Sequence, residues 1–134
     1  MLSKYLEPYK HWAKVPLRLV LGGGFVAHGV LKFMSLAATV GFFTGLGFPA
    51  GTAQFVAAIE VLGGAALVLG LFTRWAAAVL TVLLLVAIAK VKGAMGWMGG
   101  WELDAAYIAG LLSLLTTGGG KVWNLEHKLF DKEC

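Results

Sequence analysis

Glu60 lies near the middle of an apolar run, Thr52 to Phe72, that holds no other ionisable residue. As a helix rising about 1.5 Å per residue, a run of about 21 residues matches the roughly 20 needed to cross a bilayer's hydrocarbon core. A carboxylate at that depth costs at least about 2–3 kcal/mol in lipid, so it must face protein or water. Its helical neighbours Ala53, Ala57, Gly63 and Gly64 are small enough to admit a partner helix or a ligand. The matching group is His28, deep in the preceding apolar run, with Lys32 one turn further along. An imidazole facing a carboxylate in a dry site can hold a hydrogen bond and exchange protons with a bound molecule. The same pair can also serve as a buried structural hydrogen bond locking two helices, and at this point both readings stand.

The elements that carry these residues are set by composition. Of 134 residues 59% are hydrophobic and 13% charged, with a mean hydropathy of +0.81, which marks a multi-spanning membrane protein. The net charge of +4 is small and interleaved with apolar runs, so nucleic acid is not an expected partner. A single cysteine, Cys134, allows no intramolecular disulfide and no dithiol relay, and reads as an inert tail residue.

The expected fold is all-α: an integral membrane four-helix bundle in a single domain, 1–134, with spans near 16–34, 52–72, 75–92 and 102–118. Short interfacial helices are expected at the N-terminus and between spans one and two. Residues 1–14 alternate Leu2, Tyr5, Leu6, Tyr9 and Trp12 with lysines, as a segment lying on the membrane surface and bent at Pro8 does. No cleavable leader is expected, because Arg18, His28 and Lys32 interrupt the first apolar run. Residues 35–51, punctuated by Gly41, Gly45, Gly47 and Pro49, read as a half-helix and turn. A short tail helix capped by Asn124 follows the fourth span.

Four spans place Lys4, Lys10, Lys14, Arg74, Lys121, Lys128 and Lys132 on one side, which predicts both termini in the cytoplasm. His28 and Glu60 then fall at similar depth in the outer half of the bundle. Lys32, Lys90, Lys92, Glu102 and Asp104 gather above them. The expectation is a polar pocket with His28 and Glu60 as its floor and facing each other within hydrogen-bonding or one-water distance. The plainer account of the upper cluster is that lysines end one helix and acids begin the next, as the macrodipole favours. Arg18 is expected at the opposite border in a structural ion pair with Glu126.

The order of Arg18, the glycines and His28-Gly29-x-x-Lys32 resembles the DoxX family of small four-helix bacterial membrane proteins. So do Gly47-Phe48-Pro49, Glu60 with Gly63-Gly64, Gly70-Leu71-Phe72-Thr73-Arg74, Trp101-Glu102 and Gly118-Gly119-Gly120 before Asn124-Leu125-Glu126. One departure is that the family often carries a histidine after span three, where this chain has Lys90 or Lys92. The resemblance implies a bacterial cytoplasmic-membrane protein, a quinone-linked oxidoreductase subunit with a soluble or membrane redox partner, and leaves a homo-oligomer open. The residues themselves contain no haem, iron–sulfur or flavin motif and no metal-ligand set, so a quinone or a partner subunit must carry electrons. Two other classes remain open: a non-catalytic anchor or assembly subunit for a soluble redox enzyme, and a protein that binds or moves a small solute.

Overall fold

The computed structural model describes residues 1–130; Lys132 and Cys134 lie outside them. Among the described residues helices are the dominant structure and no strand occurs. In order come α1 (Leu2–Leu6), a 3-10 segment (Glu7–Trp12), α2 (Lys14–Met34), α3 (Leu36–Gly45), α4 (Thr52–Leu69), α5 (Thr73–Lys90), a 3-10 turn (Lys92–Met95), an irregular turn (Trp97–Trp101), α6 (Glu102–Thr117) and α7 (Leu125–Phe130). The interfacial helices fall where the sequence places them, with Pro8 in the 3-10 segment that follows α1. Pro16 sits in the first turn of α2, where a missing backbone donor loses nothing.

Three helices, α2, α4 and α5, are long and apolar enough to cross a membrane. The fourth expected span is shorter. At 16 residues α6 rises only about 24 Å, although it runs the bundle's length and packs on α5 and α2. The second span also ends early, at Leu69. Gly70, in the left-handed conformation at φ 70°, lets Leu71 N–H reach Ala66 O at 2.8 Å, closing α4 with a Schellman turn.

The central contact is α2 against α4. A Cβ on Gly22 would stand 2.5 Å from the Gly64 carbonyl, so the two backbones touch there. A heptad further along α2, a Cβ on Gly29 would stand 2.8 Å from the Ala57 carbonyl. The matched spacing makes the pair antiparallel and keeps small residues in register along one seam. On its other side the bundle buries Leu21, Phe25, Leu67, Leu80, Leu111 and Leu114 in one apolar cluster.

The end of the bundle where the chain's two ends meet is held by Arg18 and Glu126, but they form no ion pair with each other. Arg18 is fully buried. Its Nε donates to Leu67 O at 3.1 Å, Nη1 to Gly119 O at 2.9 Å and Val122 O at 3.1 Å, and Nη2 to Val68 O at 3.4 Å and also to Trp123 O. Leu67 and Val68 belong to the last turn of α4, whose carbonyls lack helical donors and form the negative end of its dipole. Glu126 instead accepts from Phe72 N–H at 2.8 Å, at the start of α5, where the dipole favours an anion. Each residue therefore caps a helix end, and the expected ion pair is replaced by two caps in one junction. Asn124 Oδ1 accepts from His127 N–H at 2.9 Å and caps α7 as expected.

Candidate functional site

Toward the opposite end of α2 and α4 a cavity of about 730 Å³ opens beside the pair. His28 and Lys32 from α2, Glu60 from α4, Lys90 at the end of α5, Lys92 beyond it, and Asp104 from α6 all line it. The sequence's candidates thus converge on one space, with one exception. Glu102 is exposed at the start of α6 and does not line the cavity.

The pairing within the cavity differs from expectation. Lys32 Nζ donates to Glu60 Oε1 at 3.0 Å and to Oε2 at 2.7 Å, taking both oxygens. His28 lines the same wall but makes no hydrogen bond or ion pair among the described residues. The reason lies in charge and reach. Helical side chains slope toward the N-terminus, so a lysine one turn beyond His28 leads back down to Glu60. A cation also outbids a neutral imidazole for a carboxylate. Lys32 was expected above the His28–Glu60 pair; it is instead the direct partner of Glu60.

A second pair closes the other wall. Lys92 Nζ lies 2.8 Å from Asp104 Oδ1, while Asp104 Oδ2 is buried without a partner among the described residues. Asp104 is 4% exposed, and an unmatched carboxylate oxygen in so dry a place calls for a donor that a water or a ligand would supply. Lys90, like His28, has no partner among the described residues.

Aromatic side chains form much of the remaining wall. Phe25 and Tyr107 pack with ring centroids 5.6 Å apart, and Phe43 with Phe48 at 5.7 Å; all four line the cavity. These rings were not among the sequence's site candidates. The only hint was the Phe42-Phe43 pair in the half-helix, which apolar packing explains equally well. The arrangement offers donors unpartnered among the described residues, a carboxylate–lysine pair and flat apolar walls.

Most of these residues fall within the match to a known family. The sequence model of the DoxX family matches residues 13–93, which includes His28, Lys32, Glu60, Lys90 and Lys92. The chain belongs to the DoxX family. Among the similar proteins, this DoxX chain is 35% identical over 102 residues to one named "Putative oxidoreductase CatD" of Bacillus subtilis (strain 168), covering 76% of each. It is 33% identical over 129 residues to a membrane protein of Mycobacterium tuberculosis (strain ATCC 25618 / H37Rv), covering 84% of this chain and 78% of the other. A Haemophilus influenzae protein is 37% identical over 79 residues, 58% of this chain and 57% of that one. No solved structure matches. Asp104 and the Arg18-binding loop at Gly119–Trp123 lie beyond the residues of the family match.

Proposed function

We propose that this DoxX protein is a quinone-linked oxidoreductase subunit of the bacterial cytoplasmic membrane, with both termini in the cytoplasm. The observation that carries the reading is the cavity itself: an aromatic-walled space in which His28 and Lys90 offer donors beside the Lys32–Glu60 pair. A non-catalytic anchor requires no such space. The name of the Bacillus relative points to the same chemical class.

The residues present fit a quinone head. His28 and Lys90 are free to donate to its two acceptor oxygens, and Glu60 is placed to exchange a proton while Lys32 holds its charge. The rings of Phe25 and Tyr107 pack against a flat apolar face. A quinone supplies a two-electron, two-proton carrier; the electrons come from a partner protein, because the sequence carries no haem, iron–sulfur or flavin motif. Orientation rests on the excess of lysine and arginine at the end holding both chain ends.

The test is extraction of the purified protein followed by mass spectrometry for quinones. Stoichiometric quinone with the wild type, lost in Glu60→Gln while insertion and detergent stability persist, supports the reading. Retention of every bound molecule in Glu60→Gln, with only a lower melting temperature, would make the site structural. Copurification of a soluble enzyme with no quinone would favour the anchor. Cysteine labelling that puts positions 97 and 123 on one side of the membrane would overturn the orientation.

A further inference from the structure

The cavity is not a closed chamber. Besides its charged rim it is lined by Phe42 and Phe55, and by Val79, Val82 and Val86 along α5. In α4 and α5, both long and apolar enough to span, Phe55 is 67% exposed and Val82 61% exposed. Such side chains on a spanning helix meet hydrocarbon, so this wall of the cavity is also a lipid-facing surface. α3 leans on α4, while α5 packs on α4 and α6, and the groove runs over α4 between them. From Lys90 to Val79 is eleven residues, about 16 Å along the axis. The groove is therefore polar at one end and apolar for the rest of its length.

Its charge is also unbalanced. Lys32, Lys90 and Lys92 line it against two carboxylates, Glu60 and Asp104, and each carboxylate already has a lysine partner. Among the described residues that leaves Lys90 as the lining lysine without a partner.

We infer that the ligand is a membrane-dissolved amphiphile that enters sideways from the bilayer between α3 and α5, lays an apolar chain along Phe55, Val82 and Val86, and presents an acceptor-oxygen head to Lys90. This deepens the quinone reading, on which it rests for the identity of the head. A long-chain quinone and a fatty-acid carboxylate share the required chemistry, an oxygen acceptor on an apolar chain. A tailless or water-borne solute lacks it. Burial of a chain in the groove should dominate affinity, because a chain gains with every buried methylene whereas one exposed lysine contributes little.

The full chain in phosphatidylcholine nanodiscs tests this with three probes: 2,3-dimethoxy-5-methylbenzoquinone, the same ring carrying a decyl tail, and palmitate. Dissociation constants are expressed per lipid, so that simple partitioning cancels. The decyl quinone is expected to bind at least 30-fold tighter than the tailless ring. Val82→Trp, which fills the groove from its lipid side, should remove most of that gain and leave the tailless ring within twofold; Val79→Trp repeats the test should the first variant express poorly. Lys90→Gln should weaken palmitate by about two- to fivefold and the uncharged decyl quinone less. Equal binding of the tailed and tailless rings, or a tail gain untouched by both tryptophans, overturns the groove and leaves the quinone reading standing. Binding of palmitate with neither quinone keeps the groove and overturns the quinone reading. Binding of none of the three overturns both.

Discussion

The two ends of the α2–α4 pair treat buried charge in opposite ways. At the Arg18 end five donor–acceptor contacts use all five guanidinium N–H groups, and Glu126, Asn124 and the turn at Gly70 complete a close-packed junction in which helix ends are capped, with the buried Thr73 Oγ1 left unmatched among the described residues. At the Glu60 end two ion pairs face a cavity, His28 and Lys90 lack partners among the described residues, and Asp104 Oδ2 is buried and unmatched. A polar network that satisfies itself fixes a structure; one that stops short beside an open space has capacity left for a ligand. Both ends contain intramembrane charge, so charge alone does not mark function. Leftover hydrogen-bonding capacity beside an open space does.

The largest effect should come from the satisfied end. Arg18→Met strands the carbonyls of Leu67, Val68, Gly119, Val122 and Trp123, and at roughly 1–3 kcal/mol for each dry unpaired group a few of these suffice to unfold the bundle. Arg18→Lys should rescue little, because three donors on a point charge do not span five acceptors. Reversing both charges, Arg18→Glu with Glu126→Arg, should not recover the folded yield, since the residues cap different helices. Detergent melting curves and elution as a single species report all three. Recovery in the double reversal would restore a direct ion pair and erase half of the contrast.

Much of this was legible before any coordinates. Glu60, alone among apolar residues and followed by Gly63-Gly64, fixed the second span and the need for a partner helix; the structure supplies it at Gly22 and Gly29. The convergence of His28, Lys32, Glu60, Lys90 and Asp104 followed from helix length and direction alone. Partner choice did not follow. Two-dimensional periodicity places His28 and Lys32 on one face but says nothing of which side chain bends back to the carboxylate, because that depends on reach and charge after packing. Arg18 failed for a related reason: a sequence displays carboxylates but hides the helix-end carbonyls that outnumber them. The bounds of α6 were legible too, because the residues before Glu102 form a glycine-rich turn, with Gly96 at φ 80° and Gly99 at φ 74°, and do not extend the helix.

A middle-sized effect belongs to the seam that joins the two ends. Gly22→Ala forces a Cβ to 2.5 Å from the Gly64 carbonyl, and Gly29→Ala forces one to 2.8 Å from that of Ala57. Because backbone cannot yield as a side chain can, each should cost about 1–3 kcal/mol of stability. Gly23→Ala, with nothing within 4 Å, should be neutral or slightly stabilising by helix propensity. The pair then separates the two ends functionally. Gly29 lies one turn below Lys32, so pushing it off α4 should also loosen the Lys32–Glu60 contact and weaken decyl-quinone binding several-fold. Gly22→Ala, adjusted for stability, should leave binding near the wild-type value. Equal binding losses in both would mean that the ends are mechanically coupled and the contrast is overdrawn.

The smallest effects should come from two acids two residues apart at the start of α6, and they probe the contrast within a single turn. Asp104 is 4% exposed and bonded to Lys92 at 2.8 Å, whereas Glu102 is exposed, lacks an ion-pair partner among the described residues and does not line the cavity. Asp104→Asn keeps the shape but removes the charge that holds Lys92, and frees that lysine to join Lys90 at the cavity's rim. A small loss of melting temperature is expected, because a neutral amide needs less solvation than the unmatched carboxylate oxygen it replaces. Binding should change in a charge-dependent way: palmitate tighter by about two- to fivefold, in keeping with the roughly 0.2–1 kcal/mol of an accessible ion pair, and the uncharged quinone little altered. Glu102→Gln alters a charge that only water and the helix end sense, so melting and both affinities should match the wild type within error. If Glu102→Gln moved palmitate affinity as far as Asp104→Asn does, the rim would be acting as a diffuse field and the buried position of Asp104 would be irrelevant to binding.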